Sequence, residues 1–213
     1  MRAVMAALFF ASFTFCTSAE AKAPKKNTDG PVVTIRYFLY EFNEKNITWE
    51  SQFNSALKRI HHKAQRWLKR EIFMSLKLQN WTITQVDSDT SSKLDDLKKG
   101  TPDNLVDPFK ALGYVEQLSK GISNPPDIIC LVTQTPLTFY KTGFGLYHPL
   151  CEVVVPLILT YNQTNIRETG ERLGFLIRNT LNINNFRTWY DMEKEKKKQR
   201  FDNCQIQRMK MEP

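Results

Sequence analysis

The stretch that decides the fold is DIICLVTQ, residues 127–134. Its centre is a near-continuous apolar run, and Pro125 and Pro126 stand directly before it. Continuous apolar strands of this kind are typical of sheets whose two faces are both covered. We therefore expect residues 127–134 to form a strand that is buried on both faces.

The segments around this strand alternate between strand and helix patterns. Those before it are a strand at 32–42, a helix at 49–71, a strand at 74–85, a polar excursion at 86–106 and a helix at 108–120 whose apolar face includes Phe109. Those after it are an edge strand or hairpin at 143–156, a helix at 166–181 and an exposed charged helix at 189–201. This order predicts a single α/β domain in which helices pack on a mixed sheet.

The N-terminal segment has the pattern of an export signal. Arg2 precedes an apolar run at residues 3–16, and small residues lead up to Ala21. The run is shorter than the roughly 20 residues that span a bilayer, so we predict a signal peptide at 1–21. A flexible basic lead-in follows at 22–31. No later run reaches about 18 apolar residues, so we predict a secreted chain without a membrane anchor.

Cysteine usage divides the rest of the chain. Cys130 lies inside the central apolar strand, where a thiol behaves as a small apolar side chain. Because Cys130 is expected to be buried in that strand, a disulfide bond between Cys151 and Cys204 is the favoured pairing in an oxidising compartment. We accordingly divide the exported chain into an α/β domain at 32–188 and a charged C-terminal helix and tail at 189–213, tied down by Cys204.

Charge is concentrated in two places. Lys and Arg number 30 against 22 Asp and Glu, for a net charge of +8. One face of the first predicted helix, which we call the basic face, carries Lys58, Arg59, His62, Lys63, Arg66, Lys69 and Arg70. A second cluster consists of Lys194, Lys196, Lys197, Lys198 and Arg200. Such patches bind sulfated glycans, acidic proteins or lipid head groups, and they are also what a solvated helix face looks like. Nucleic acid is not an expected partner, because the chain has no recognition module.

Three N-x-Thr sequons accompany the export signal, at Asn46, Asn80 and Asn162. Each is an expected glycosylation site where it faces solvent. The histidines offer no obvious metal site. His61 and His62 are neighbours on a helix and point about 100° apart, and we expect His61 to be half-buried and His148 to be a surface residue.

The order of elements resembles the metzincin zinc-protease domain, particularly its reprolysin branch, over residues 32–204. GFGLYHPLC at 143–151 is similar to the family's edge strand, and FDNCQI at 201–206 to the C-terminal segment whose Cys pairs with it. The resemblance implies a zincin-like fold.

The metzincin zinc motif H-E-x-x-H-x-x-G-x-x-H falls in register with ERLGFLIRNTL, residues 171–181. Its three ligand positions are Glu171, Phe175 and Leu181, and its catalytic Glu position is Arg172. Phe and Leu have no lone pair for zinc, and Arg cannot accept a proton. We therefore predict a pseudoenzyme with no metal, no cofactor and no hydrolytic activity.

A further resemblance is carried by VTIRYF at 33–38, NITWESQFN at 46–54 and DIICLV at 127–132. These segments resemble the tick salivary immunosuppressant glycoproteins. The resemblance implies a secreted salivary protein that suppresses host lymphocyte responses by binding a host immune protein. The expected contact surface is the edge strand at 143–150 with the helix face beside it, and its candidate residues are Gly143, Gly145, Tyr147, Arg172 and Phe175. Two alternatives stay open: an active metalloprotease, and a module that binds heparin or an anionic surface.

Overall fold

The computed structural model describes residues 30–40, 47–204 and 206, and for residues 47–50 and 102 it describes the backbone alone. The signal peptide predicted at 1–21, most of the lead-in and the Asn46 sequon lie outside the described residues. The strands are β1 (Val32–Tyr40), β2 (Lys77–Gln85), β3 (Ile128–Thr133), β4 (Gly143–Phe144) and β5 (Val155–Thr160). The helices are α1 (Ile47–Ile72), α2 (Ser88–Lys98), α3 (Pro108–Gln117), α4 (Ile166–Asn179), α5 (Phe186–Asp191) and α6 (Lys194–Gln199), with a 3₁₀ turn at Pro102–Asn104.

The five strands form one mixed sheet in the order β2-β1-β3-β5-β4. Neighbouring strands run parallel except for β4, which pairs antiparallel with β5 at the sheet's edge. The predicted single α/β domain with helices packed on a mixed sheet is confirmed.

Strand β3 lies at the centre of this sheet, and its side chains supply two cores. Ile128, Cys130 and Val132 point to a core shared with α1 and α4. Ile129 and Leu131 point to a second core, shared with α3 and with Leu94 of α2. Every residue of β3 is buried, which explains why its sequence is apolar without alternation.

Helices α1 and α4 pack closely where α4 carries glycines that face α1. A Cβ on Gly170 would lie 2.6 Å from Lys63 Cβ, and a Cβ on Gly174 would lie 2.9 Å from the Trp67 ring. Both glycines are buried, four residues apart on one side of the helix. Glycine at these positions lets the two backbones approach.

Two parts of the predicted element order were wrong. The polar excursion at 86–106 contains α2, which Asp87 caps by accepting from Thr90 N–H; Leu94 is its one buried residue, and Leu97 packs partly buried against the same core. The pattern missed this helix because one buried side chain gives no periodicity. The predicted edge strand at 143–156 is also mostly irregular, since only Gly143 and Phe144 pair with β5, while Val155–Thr160 forms β5 itself.

The C-terminal segment is not the single exposed helix that its charge pattern predicts. It consists of α5 and α6 with a break at Met192, and Trp189 and Phe201 are buried. Trp189 Nε1 donates to Ile72 O at 2.8 Å, which joins α5 to the end of α1. The predicted Cys151–Cys204 disulfide is confirmed, and Cys130 is a buried free thiol. No helix in the described part of the chain has the length and apolarity to cross a bilayer.

Candidate functional site

Helix α4 carries most of the segment that was predicted to align with the zinc motif, and the side chains at the aligned positions make contacts within the protein. Glu171 accepts from Arg167 Nε at 2.9 Å and lies 3.8 Å from Arg70 Nη2. Leu181, just beyond the helix, is buried in the core shared by α1 and α4. The first and third ligand positions are therefore occupied by an ion-paired carboxylate and a core side chain.

Phe175, at the second ligand position, has two guanidinium groups close to its ring. The guanidinium of Arg172 is 4.7 Å from the Phe175 ring centroid and that of Arg178 is 4.8 Å from it. The ring also meets Trp67 of α1 edge-on, with centroids 6.3 Å apart. A cation–aromatic stack thus stands where the motif's imidazole would be.

Arg172 joins α4 to the edge of the sheet. Its Nη2 donates to the carbonyl oxygen of Gly143, the first residue of β4, at 2.6 Å. Its Nε is buried and has no hydrogen-bond acceptor. Burial lowers the pKa of this guanidinium from its usual value, because the charged form is partly removed from water. No carboxylate in the described chain lies within ion-pair distance of Arg172.

The other predicted contact residues lie along the irregular segment that follows β4. Gly145 is half-buried, and a Cβ there would lie 2.5 Å from Leu157 Cδ2, so a larger side chain would displace the end of the Leu157 side chain. Tyr147 is exposed. The structure therefore brings Gly143 and Arg172 into direct contact, with Phe175 beside Arg172, but shows no hydrogen bond or ring contact between Tyr147 and this group among the described residues.

A cleft of about 460 Å³ opens beside Arg172, where β3 and β5 end and α4 begins. Its lining includes Lys141, Thr142 and Thr160 together with Gln134. Glu168 is the one acidic residue among the described lining residues, and its Oε2 accepts from the side-chain amides of Asn162 and Asn165. Two side chains of the lining, Lys141 and Arg172, are cations, so the cations of the cleft exceed its carboxylates by one.

A cluster of aromatic side chains lies at the β4 end of the sheet, and the sequence patterns did not reveal it. We call Phe109, Phe139, Tyr140 and Phe144 the aromatic cluster. The Phe144 ring centroid is 5.6 Å from that of Phe109 and 4.8 Å from that of Tyr140, and Tyr140 is 4.4 Å from Phe139.

Three members of the aromatic cluster face solvent: Phe109 and Phe139 are each 59% exposed and Tyr140 is 42% exposed. The expectation that Phe109 lies on the buried face of its helix was wrong, because its side chain, in the first turn of α3, is exposed and meets the Phe144 ring. The adjacent pair Phe139-Tyr140, in a segment without a helix or strand pattern, was the available signal.

His61 is buried, not half-buried as expected. Its Nε2 lies 2.7 Å from the Tyr37 hydroxyl, inside the core between α1 and β1. Burial lowers the pKa of His61 from 6.5 to about 4 and raises the pKa of Tyr37 well above its usual value. The pair is a neutral hydrogen bond within the core. His62 is exposed, and His148 is half-buried with Nδ1 3.4 Å from Leu146 O.

One further group has the composition of a metal site. Asp127, Cys151 and Cys204 are buried and place their ligand atoms within 4.8 Å of one another. The two sulfurs are bonded to each other, however, and the Asp127 carboxylate accepts from Thr34 N at 2.8 Å and Thr34 Oγ1 at 2.7 Å. The disulfide bond and the hydrogen bonds from Thr34 therefore already occupy these potential ligand atoms.

The predicted basic face lies on α1, with most of its side chains exposed. Lys58, Arg59, Arg66 and Lys69 are exposed and form no ion pair among the described residues, whereas Lys63 is half-buried against α4 and Arg70 lies near Glu171. The second basic cluster is not a continuous patch. Lys197 is buried, with Nζ donating to Tyr190 O at 3.2 Å, and Lys198 pairs with Glu195.

The two described sequons differ in their surroundings. Asn80 is exposed on β2, at one edge of the sheet. Asn162 is half-buried at the cleft, where its Oδ1 accepts from Thr164 and Asn165 and its Nδ2 donates to Glu168. Asn80 is therefore the more accessible acceptor in the folded chain.

Comparison with known proteins gives little. No protein-family model matches the sequence, and no curated protein matches it. Among solved structures, a chain described as "Structure of a chaperone-substrate complex" aligns with a TM-score of 0.37 and 9% identity. The alignment covers 68% of this chain and 26% of the other. A likeness at this level carries no argument about function.

Proposed function

We propose that this chain is a secreted, non-catalytic binding protein that suppresses host lymphocyte responses by binding a host immune protein. The observation that carries the proposal is the aromatic cluster, which exposes three large rings side by side at the edge of the sheet. Exposed apolar patches mark interaction sites, and aromatic residues dominate the energetics of protein interfaces. The salivary role rests on the sequence resemblance.

Two further features support export without catalysis. The N-terminal pattern is that of a signal peptide, and the Cys151–Cys204 disulfide is compatible with an oxidising compartment. Phe175 and Leu181 offer no ligand atom for zinc, and Arg172 cannot act as a general base. The proposed zincin-like ancestry would then leave a binding scaffold in which Arg172, bonded to Gly143, occupies the position of the base.

The partner surface is tested by capturing proteins from host plasma and from lymphocyte lysate on the immobilised chain. The test variant combines Phe109→Ser with Tyr140→Ser. The matched control combines Phe73→Ser with Tyr190→Ser, which removes another exposed aromatic pair, with ring centroids 4.3 Å apart, outside the cluster. We expect the control to retain the captured protein and the inhibition of lymphocyte proliferation, and the test variant to lose both.

Each alternative result has a distinct meaning. Capture and inhibition that survive Phe109→Ser with Tyr140→Ser would show that the partner binds elsewhere. A chain that neither captures a host protein nor affects lymphocytes would refute the proposed function. Stoichiometric zinc in the purified chain, together with chelator-sensitive peptide cleavage, would establish the rival metalloprotease.

A second candidate function, binding of sulfated glycans, is favoured by the unpaired cations on α1. Lys58, Arg59, Arg66 and Lys69 are exposed without a counter-ion among the described residues. The proposal predicts that the chain elutes from a heparin column at a salt concentration well above the physiological one, and that Arg59→Glu combined with Arg66→Glu lowers this concentration. Elution of the wild type near physiological salt would refute glycan binding.

A further inference from the structure

Arg172 is a partly desolvated cation whose charge is not balanced by its surroundings. Among the groups that the structure describes, its hydrogen-bond acceptor is the Gly143 carbonyl oxygen at 2.6 Å, and the ring it lies over is that of Phe175, at 4.7 Å. Both are neutral, and its Nε is buried without an acceptor. A guanidinium has five N–H donors, and removing it from water without an anion is costly. The site therefore favours a ligand that brings negative charge.

The cleft beside Arg172 has room for such a ligand. Its volume, about 460 Å³, lies within the range of pockets that hold small ligands or side chains. Lys141 lines the same cleft and forms no ion pair among the described residues. Glu168, the acidic residue of the lining, is already hydrogen-bonded by two asparagine amides. Two cations against one carboxylate leave a single positive charge.

We infer that this cleft binds the carboxylate of an acidic peptide segment, held by Arg172 and Lys141. A single carboxylate balances the net charge of the cleft, and its two oxygens match the planar donors of a guanidinium. Lys141 directly follows Tyr140, so the cleft adjoins the aromatic cluster. The inference deepens the proposed function: the partner places apolar side chains on the aromatic cluster and an Asp, a Glu or a chain terminus in the cleft.

The cleft can be tested without knowing the partner, by NMR titration of the full secreted chain. N-acetyl-glutamate N-methylamide supplies a side-chain carboxylate, and N-acetyl-glycine supplies a terminal one. N-acetyl-glutamine N-methylamide is the uncharged control, and inorganic phosphate and sulfate are competing anions. The readouts are the Arg172 Nε–H resonance and the backbone amides of Thr142 and Thr160, which line the cleft.

Three variants distinguish binding in the cleft from a general effect of positive charge on the surface. Arg172→Gln and Lys141→Gln each remove one cation of the cleft. Lys110→Gln removes an exposed lysine that does not line it. Because Lys141 is exposed, its replacement leaves the fold intact even if the loss of the Arg172–Gly143 bond disturbs β4.

We expect saturable carboxylate binding in the millimolar range, weakened about tenfold by Arg172→Gln and by Lys141→Gln and unchanged by Lys110→Gln. Preference for one of the two carboxylate probes would identify a side chain or a chain terminus as the ligand. No saturable shift, equal binding of the glutamine probe, or tighter binding of phosphate or sulfate would overturn the inference. Such a failure would leave the capture test of the aromatic cluster unaffected, so the two proposals fail separately.

Discussion

The Tyr37 hydroxyl and His61 Nε2 lie 2.7 Å apart inside the core that joins β1 to α1. Both residues are buried, and the surrounding rings include Phe53, which meets Tyr37 edge-on at 5.5 Å between centroids. A histidine in this position is stable only as the neutral imidazole, since burial opposes its charge. The fold should therefore respond to acid through this side chain.

We expect acid to destabilise the fold through His61. The unfolded chain takes up this proton near pH 6.5 and the folded chain only near 4, so the unfolded state binds more protons in between. Stability conferred by His61 is complete above 6.5 and is lost as the pH falls towards 4, by roughly 3 kcal/mol. Denaturant unfolding measured across this interval checks the prediction.

The variant His61→Gln isolates that contribution, because glutamine keeps a polar atom near Tyr37 but does not titrate. Its stability should change less with pH than that of the wild type over the same interval. Identical pH profiles for the two proteins would contradict the assignment to His61.

Alanine at Gly170 should destabilise the packing of α4 on α1. The added Cβ would lie 2.8 Å from Ile60 O as well as 2.6 Å from Lys63 Cβ, and the helix backbones would have to separate. We expect a loss of roughly 1–3 kcal/mol of unfolding free energy. Gly113→Ala on α3 is the matched control, since a Cβ there meets nothing within 4 Å. The control should be neutral or gain up to about 1 kcal/mol from helix propensity. Equal effects of the two substitutions would disprove the close-packing explanation.

Removal of the disulfide should cost about 4 kcal/mol in the chain-entropy description, because the bond closes a 53-residue separation. The double variant Cys151→Ala with Cys204→Ala should unfold at lower denaturant concentration than the oxidised wild type. Reducing agent should shift the wild type to the variant's midpoint and leave the variant unchanged. A variant as stable as the oxidised wild type would show that the bond does not support the fold.

Trp189→Phe should destabilise the junction between α5 and α1. Phenylalanine fills most of the buried site but leaves Ile72 O without its donor at 2.8 Å, at a cost of roughly 1–3 kcal/mol. Tyr190→Phe, at an exposed neighbour, serves as the control and should change stability little. If both variants unfold at the same denaturant concentration, the indole hydrogen bond does not contribute to the stability of the fold.

The elements that the sequence predicted well are those with strong periodicity. The central strand is buried on both faces. The long first helix and the helix at 166–181 each bury one continuous stripe, and the order of these elements gives the layered α/β arrangement. Helix α2 escaped because Leu94 is its sole buried residue. Strand β5 was not predicted as a separate element, because its first two residues, Val155 and Pro156, fall inside the edge strand predicted at 143–156.

The sequence by itself determined the layered fold, the Cys151–Cys204 pairing and the absence of metal-ligating atoms from the side chains of Phe175 and Leu181, because these depend on residue types and their pattern along the chain. Only the tertiary structure decided that Arg172 bonds Gly143, 29 residues away, and that Phe109 lies beside Phe144 and Tyr140. Such contacts depend on the order of the strands in the sheet and on how closely α4 packs against its neighbours. The hydrophobic pattern along one segment contains no information about either.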